Sequence, residues 1–301
     1  MSLAEHVRTL GRGPGRSRSL TQEEAADAMG IMLSGKGAPE AVGAILMLLR
    51  MKGETAEEIA GFAGAAQAAM PPIAGVDLDW PSYAAGRTRG APWFLQSARE
   101  VADQGYRVLL HGWNGPDQTV REGLGQAGIA MVDSVSEAEE RLSADGIAYL
   151  RLETSHPALF ALLNLRPVFG LRSCVNTVCR MLNPGRAGAS VQGVFHPSYR
   201  LLQADAAALL GWQSLSVIKG GGGEFERHPG KAIAAFGLRE GQSWEGTLPA
   251  LSEETRRLNE PGLEGDSHFD RLIVSGTTEL AMATLQNRVA AQSDPSVEIE
   301  S

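Results

Sequence analysis

The sequence predicts an α/β fold: a small N-terminal helical domain joined to a large α/β domain whose sheet is mainly parallel and flanked by helices. Two observations carry the prediction. The first seventy residues hold paired helix-start and helix-stop signals, and after Pro72 short apolar runs alternate with amphipathic segments. Strand–helix alternation of that kind builds a parallel sheet with helices on its faces. At 301 residues, 43% hydrophobic and 21% charged, the chain has the length and composition of an ordinary globular protein with a large core.

The helical region divides at its punctuation. Thr21 and Glu24 have capping-box spacing ahead of AADAMGIML, and Gly35 can close that helix. Pro39 suits the first turn of EAVGAILMLLRMK, which Gly53 ends. A second capping box, Thr55 and Glu58, opens IAGFAGAAQAAM, and Pro71–Pro72 stops it. Between Leu10 and Ser19 the run LGRGPGRSRS is too rich in Gly, Pro and Arg for a helix and reads as an exposed basic loop. Apolar positions Ile45, Leu46, Leu48 and Leu49 suggest more than this domain's own core.

Beyond Pro72, candidate strands cover residues 107–110, 129–132, 147–150, 191–195, 215–218 and 232–236. Helices are expected between several of them, at PWFLQSAREVADQ and after a Ser134–Glu137 capping box. The domain boundary falls at 72/73, with part of 157–185 expected to join the helical domain in space. Ligands on such sheets sit at the carboxyl ends of strands. Two motifs stand there: His111-Gly112, and the run Lys219, Gly220, Gly221, Gly222, Gly223. Glycines let backbone N–H groups approach an anion, so the second motif reads as a candidate phosphate loop or as a plain tight turn. Glu224 and Glu226 lie two apart, and on an extended segment they would point the same way, as a metal pair needs.

Net charge is −8, which argues against indiscriminate nucleic-acid binding. The distribution says more. Residues 154–204 contain no Asp or Glu, yet hold Arg166, Arg172, Arg180, Arg186, Arg200, His156 and His196. Arg12, Arg16 and Arg18 crowd the N-terminal loop, and Arg87 and Arg89 form another basic group. Such acid-free surface suits a phosphate or polyanion. Cys174 and Cys179 are five apart, the wrong spacing for one helix face, and read as buried small hydrophobes. No apolar run reaches membrane-spanning length and the N-terminus lacks a signal peptide's apolar core, so the expected location is cytoplasmic.

Taken together, these landmarks resemble the anthranilate phosphoribosyltransferase family, whose fold is that of the pyrimidine nucleoside phosphorylases. The resemblance rests on SLTQEEAADAMGIMLSGKGAPEAVGAILMLLRMKGETAEEIAGFAGA and on SHPALFALLNLRPVFGLRSCVNTVCRMLNPGRAG, where His156, Pro157, Arg166, Gly170, Arg172, Asn176, Asn183 and Pro184 match. It implies phosphoribosyl transfer from phosphoribosyl pyrophosphate, with magnesium, to an aromatic amine. Arg166 would hold the acceptor's carboxylate, a task suited to a planar charged fork; an interface ion pair is the plain alternative. His111, Gly112, His156, Arg172 and Asn176 would complete an acceptor or anion site, and since that family's helical domain carries its dimer contact, the resemblance also implies a homodimer.

The departures fall on the donor side. Where the family has Gly-Thr-Gly-Gly-Asp, this chain has Trp80, Pro81, Ser82 and Tyr83; Lys-His-Gly-Asn-Arg becomes Leu110-His111-Gly112-Trp113-Asn114; the magnesium pair becomes Phe225-Glu226. Losing one preorganised donor of leaving-group charge costs about 2.7–4 kcal/mol, so three such losses would cripple the transfer. Such changes resemble a divergent branch of the family with which nucleic-acid binding is associated. The sequence therefore predicts a polyanion or nucleic-acid binder on an inherited transferase fold, with Trp80, Tyr83 and Trp113 available to stack on bases or to fill the vacated pocket. An active pentosyl transferase with an altered donor or aromatic acceptor is the alternative, and magnesium is expected only there. A phosphorylated sugar or aromatic acid would then be the ligand.

Overall fold

A computed structural model describes residues 2–84, 90–114, 118–254 and 267–287. Four helices come first: α1 (Leu3–Gly11), α2 (Gln22–Leu33), α3 (Pro39–Lys52) and α4 (Ala56–Ala68). Two of the three expected capping boxes form in full, Thr21 with Glu24 and Thr55 with Glu58; at Ser134 the hydroxyl accepts from the Glu137 N–H, but the Glu137 carboxylate accepts from the Asp133 N–H instead. Glu58 does more than cap. Its buried carboxylate also accepts from the Leu20 N–H at 2.9 Å and from Lys52 Nζ at 2.8 Å, tying the loop before α2 and the end of α3 to α4. A buried carboxylate needs such compensation for its lost hydration. Gly53 takes φ 85° at the end of α3, where a side chain would be strained. Ile45, Leu46 and Leu49 are fully buried inside the chain's own core, and Leu48, partly buried, packs against it.

The described strands form one sheet in the order β3-β4-β2-β1-β5-β6-β7-β8. They are β1 (Leu78–Ser82), β2 (Val108–Gly112), β3 (Met131–Val132), β4 (Ile147–Arg151), β5 (Ala189–Val194), β6 (Ser214–Lys219), β7 (Ile233–Arg239) and β8 (Gln242–Leu248). The first six pair parallel, and β7 and β8 add an antiparallel edge. Helices α5 (Trp93–Asp103), α6 (Gln118–Gln126), α7 (Val135–Asp145), α12 (Tyr199–Leu209) and α13 (His268–Leu285) fall among or after the strands, and four short helices link β4 to β5: α8 (Leu152–Ser155), α9 (Pro157–Leu163), α10 (Arg166–Phe169) and α11 (Val175–Arg180). Those short helices reach the N-terminal region. His156 Nε2 donates to Ala66 O at 3.0 Å, Gln67 Nε2 donates to Leu182 O and Asn183 O, and Arg50 donates to Arg172 O at 2.7 Å.

Two strands escaped the sequence reading. β8 is an edge whose residues are largely polar and partly exposed. β1 contains Asp79 and Pro81, both poor strand residues, yet every position is buried. Asp79 is held by Ser190 Oγ at 2.7 Å and stands 3.1 Å from His111 Nε2. Pro81 lies two residues past the last β1–β5 pair, so that flank has no ladder bond to lose. Trp80 therefore belongs to a core strand and meets Phe225 edge-on at 5.5 Å; neither it nor Tyr83, 1% exposed, is available to stack on a base.

Candidate functional site

The chain order runs outward from β1 through β2 to β4, then returns to β5 on the other side of β1. Where strand order reverses, the carboxyl ends splay into a crevice. At the end of β5 lies a cleft of about 540 Å³ whose described lining includes Arg50, Arg166, Arg172, Arg180, Asn176 and Phe195. Among the described residues that line it are four arginines and no carboxylate.

Each arginine arrives by a different route. Arg50 ends α3 and is fixed by its bond to Arg172 O. Arg166 opens α10 and is exposed. Asn176 and Arg180 are one turn apart on α11, so both point the same way. Arg180 is buried, donates Nε to Gly193 O at 3.1 Å, and bonds to the Asn176 side chain and carbonyl. Burial lowers the affinity of the Arg180 guanidinium for its proton, and the Glu224 carboxylate opposes that shift. Arg172 is shifted down by burial and then by the charges of Arg166 and Arg180. Three like charges thus crowd one wall. Phe195, expected inside a strand, lies just past β5; it is 57% exposed and meets His196 edge-on. Gln203 of α12 also lines the cleft, is 1% exposed, and its Oε1 has no hydrogen-bond partner among the described residues.

Of the residues singled out by sequence, the cleft gathers Arg166, Gly170, Arg172, Asn176, Arg180, His196 and Gly222. His111 and Gly112 turn inward instead. His111 sits between Asp79 and Tyr83, whose hydroxyl is 2.9 Å from Nδ1, and a Cβ on Gly112 would lie 2.0 Å from Ser82 O. His156 is buried, donating to Ala66 O and accepting from the Leu159 N–H at 3.3 Å, which makes it a cap of α9 rather than an anion ligand. The glycine run is no open phosphate loop. Gly221–Gly223 form a 3-10 turn, and the N–H groups of Gly220, Gly223 and Glu224 already donate to protein carbonyls. Lys219 is exposed and does not line the cleft. Arg12, Arg16 and Arg18 form an exposed group, with Arg18 bridged to both oxygens of Glu24 at 2.6 and 2.7 Å. Arg87 and Arg89 lie outside the described residues. Sequence reasoning missed Arg50, Phe195 and Gln203 as site residues, since only the fold brings α3, β5 and α12 together.

Comparison with known proteins places this geometry. Residues 4–70 match the glycosyl transferase family helical bundle domain. The anthranilate phosphoribosyltransferase of Myxococcus xanthus is 31% identical over 240 residues, spanning 77% of this chain and 70% of that enzyme. The chain belongs to the anthranilate phosphoribosyltransferase family. The Geobacillus kaustophilus enzyme is 28% identical over 211 residues, and the match spans 61% of that enzyme's length. Among solved structures, the Thermus thermophilus anthranilate phosphoribosyltransferase superposes with a TM-score of 0.78 at 21% identity, covering 95% of this chain and 90% of that one. The Saccharomyces cerevisiae enzyme in complex with PRPP and Mg gives 0.75 at 17% identity, covering 95% and 89%.

The family implies a magnesium–pyrophosphate donor, and the two acidic candidates for its metal, Glu224 and Glu226, are both buried and engaged by protein donors. Glu224 is 1% exposed and accepts from Ser82 Oγ at 3.1 Å and from the Ala84 N–H at 3.0 Å. Glu226 accepts from the Phe94 N–H, in the first turn of α5, at 3.1 Å. Their described donors come from separate elements, the end of β1 and the first turn of α5, and no group of three metal-ligating side chains occurs among the described residues. No helix among the described residues is long and apolar enough to cross a membrane.

Proposed function

We propose that this family member binds a phosphate-bearing polyanion, single-stranded nucleic acid in particular, through the arginine cleft, and that phosphoribosyl transfer is not its role. One observation carries the reading: Arg166, Arg172 and Arg180 crowd a cleft with no carboxylate among its described lining, an arrangement whose self-repulsion an anion relieves. Exposed Phe195 adds a stacking surface, and base–aromatic stacking is tolerant of sequence. The Arg12, Arg16 and Arg18 group would extend the basic surface, and a homodimer would double it. Apolar side chains exposed in and beside the α3 and α10 segments, Met51 and Val168, are candidates for that dimer contact in place of the buried α3 residues.

The test is fluorescence polarisation of a labelled single-stranded oligonucleotide across a salt series. Contacts to three or four phosphates predict a log–log salt slope of about −2 to −3, lost in Arg166→Ala/Arg172→Ala. Absence of binding at low salt overturns the reading. The second reading, an active transferase with an altered donor, is favoured by the cleft's position at the carboxyl end of the parallel sheet. Release of pyrophosphate from PRPP in the presence of Mg and an aromatic acid would establish it.

A further inference from the structure

Three features of the cleft are more specific than a generic basic surface requires. A continuous strand presents phosphodiesters of one charge each, which a shallow groove of arginines satisfies. Here at least three guanidiniums share one concavity of about 540 Å³, the volume class of a small-molecule pocket rather than of an extended groove. A terminal phosphomonoester carries about −1.5 to −2 charges at neutral pH and three acceptor oxygens, matching that cluster better than a diester does. Gln203 then supplies a second kind of recognition. Its Oε1 is a buried acceptor in the cleft lining with no hydrogen-bond partner among the described residues, a state that costs free energy until a donor arrives. Arginine supplies only donors, and a phosphate dianion has none. The missing donor must come from another part of the ligand. Nucleobases carry N–H groups on their edges, and Phe195 stands exposed in the same lining to take a flat ring.

Resting on the polyanion reading, we propose that the cleft captures a nucleotide bearing a terminal phosphomonoester: the phosphate on Arg166, Arg172 and Arg180, the base against Phe195, and a base N–H on Gln203 Oε1. A free nucleoside monophosphate and a 5′-phosphorylated strand end share this chemistry, and direct comparison separates them.

Oligonucleotides of one sequence, labelled at the 3′ end, are compared with a 5′-phosphate and with a 5′-hydroxyl; AMP, GMP and ribose 5-phosphate serve as competitors. We expect the 5′-phosphate to tighten binding about tenfold or more, the scale of one or two charge-assisted hydrogen bonds. AMP and GMP should displace the strand at lower concentration than ribose 5-phosphate. Gln203→Met should erase that advantage of the base while leaving ribose 5-phosphate unchanged. Equal binding of phosphorylated and hydroxyl strands overturns this inference and leaves the polyanion reading standing. Direct binding of AMP or GMP, read by isothermal titration calorimetry, with no strand binding supports the pocket and sinks the polyanion reading. Tighter binding of anthranilate than of AMP at the same site overturns the inference, since the cleft would then be built for a carboxylate. The strand comparison uses the unaltered protein, so failure of a variant to fold does not remove the test.

Discussion

Trp80→Ala tests whether the residue standing at the family's glycine loop has become part of the core. Trp80 is fully buried in β1 and packs edge-on against Phe225. A buried indole removes about 200–250 Å² from water, worth about 5–6 kcal/mol at 25 cal/mol per Å². Residual burial in the unfolded chain trims this by roughly 10–40%, to about 3–5 kcal/mol, which agrees with measured Trp→Ala costs. Trp80 Nε1 has no hydrogen-bond partner among the described residues, so the indole also carries a penalty of about 1–3 kcal/mol. Trp80→Phe gives that penalty back while keeping a ring against Phe225, and it should change stability by less than about 1.5 kcal/mol. Urea denaturation followed by far-ultraviolet circular dichroism measures both variants against the parent chain. With typical domain stabilities of about 5–15 kcal/mol, the alanine variant should lose roughly a fifth or more of the total. A Trp80→Ala midpoint equal to that of the parent, or a Trp80→Phe loss as large as the alanine loss, would refute the view that β1 is held by this aromatic contact.

Two further outcomes follow from the packing. Gly220→Ala would place its Cβ 1.5 Å from Glu224 O and should destabilise by about 3 kcal/mol, whereas Gly188→Ala, with nothing within 4 Å, should be neutral to about 0.5 kcal/mol; thermal melts of the pair decide whether the glycine run serves self-packing. His156 is held neutral in the folded state, where burial lowers its pKa from 6.5, so the unfolded chain binds the proton more readily. Stability should therefore be full above pH 6.5 and fall as pH drops through that value, levelling off below the lowered folded pKa; His156→Gln should flatten this window. The separate loss from Glu24, whose folded pKa is pulled to about 2 chiefly by its bond to Arg18, sets in only below 4.5.

Much of the fold was legible because local signals and tertiary structure agreed. Thr21–Glu24, Thr55–Glu58, Pro39 and Gly53 mark helix ends by hydrogen bonds and φ preferences that operate over four residues. Six strands were visible as short apolar runs. β1 was not, because Asp79 and Pro81 violate strand preference and are tolerated only through Ser190, His111 and the short β5 ladder. The same holds for the site. Arg166, Arg172 and Arg180 were found through an acid-free run, a property of sequence alone, and Asn176 through the family resemblance. Arg50 and Gln203 could not be, since their places in the cleft depend on how α3 and α12 pack about the end of β5.

Glu224 and Glu226 mark the boundary between the two kinds of information. Their spacing in sequence is that of a ligand pair, and sequence by itself determined that two carboxylates would lie close along the chain. Only the tertiary structure decided where they point: one to the end of β1, the other to the start of α5. The physical reason is that a buried carboxylate must find donors, and which donors are within 3 Å is set by packing among segments more than a hundred residues apart.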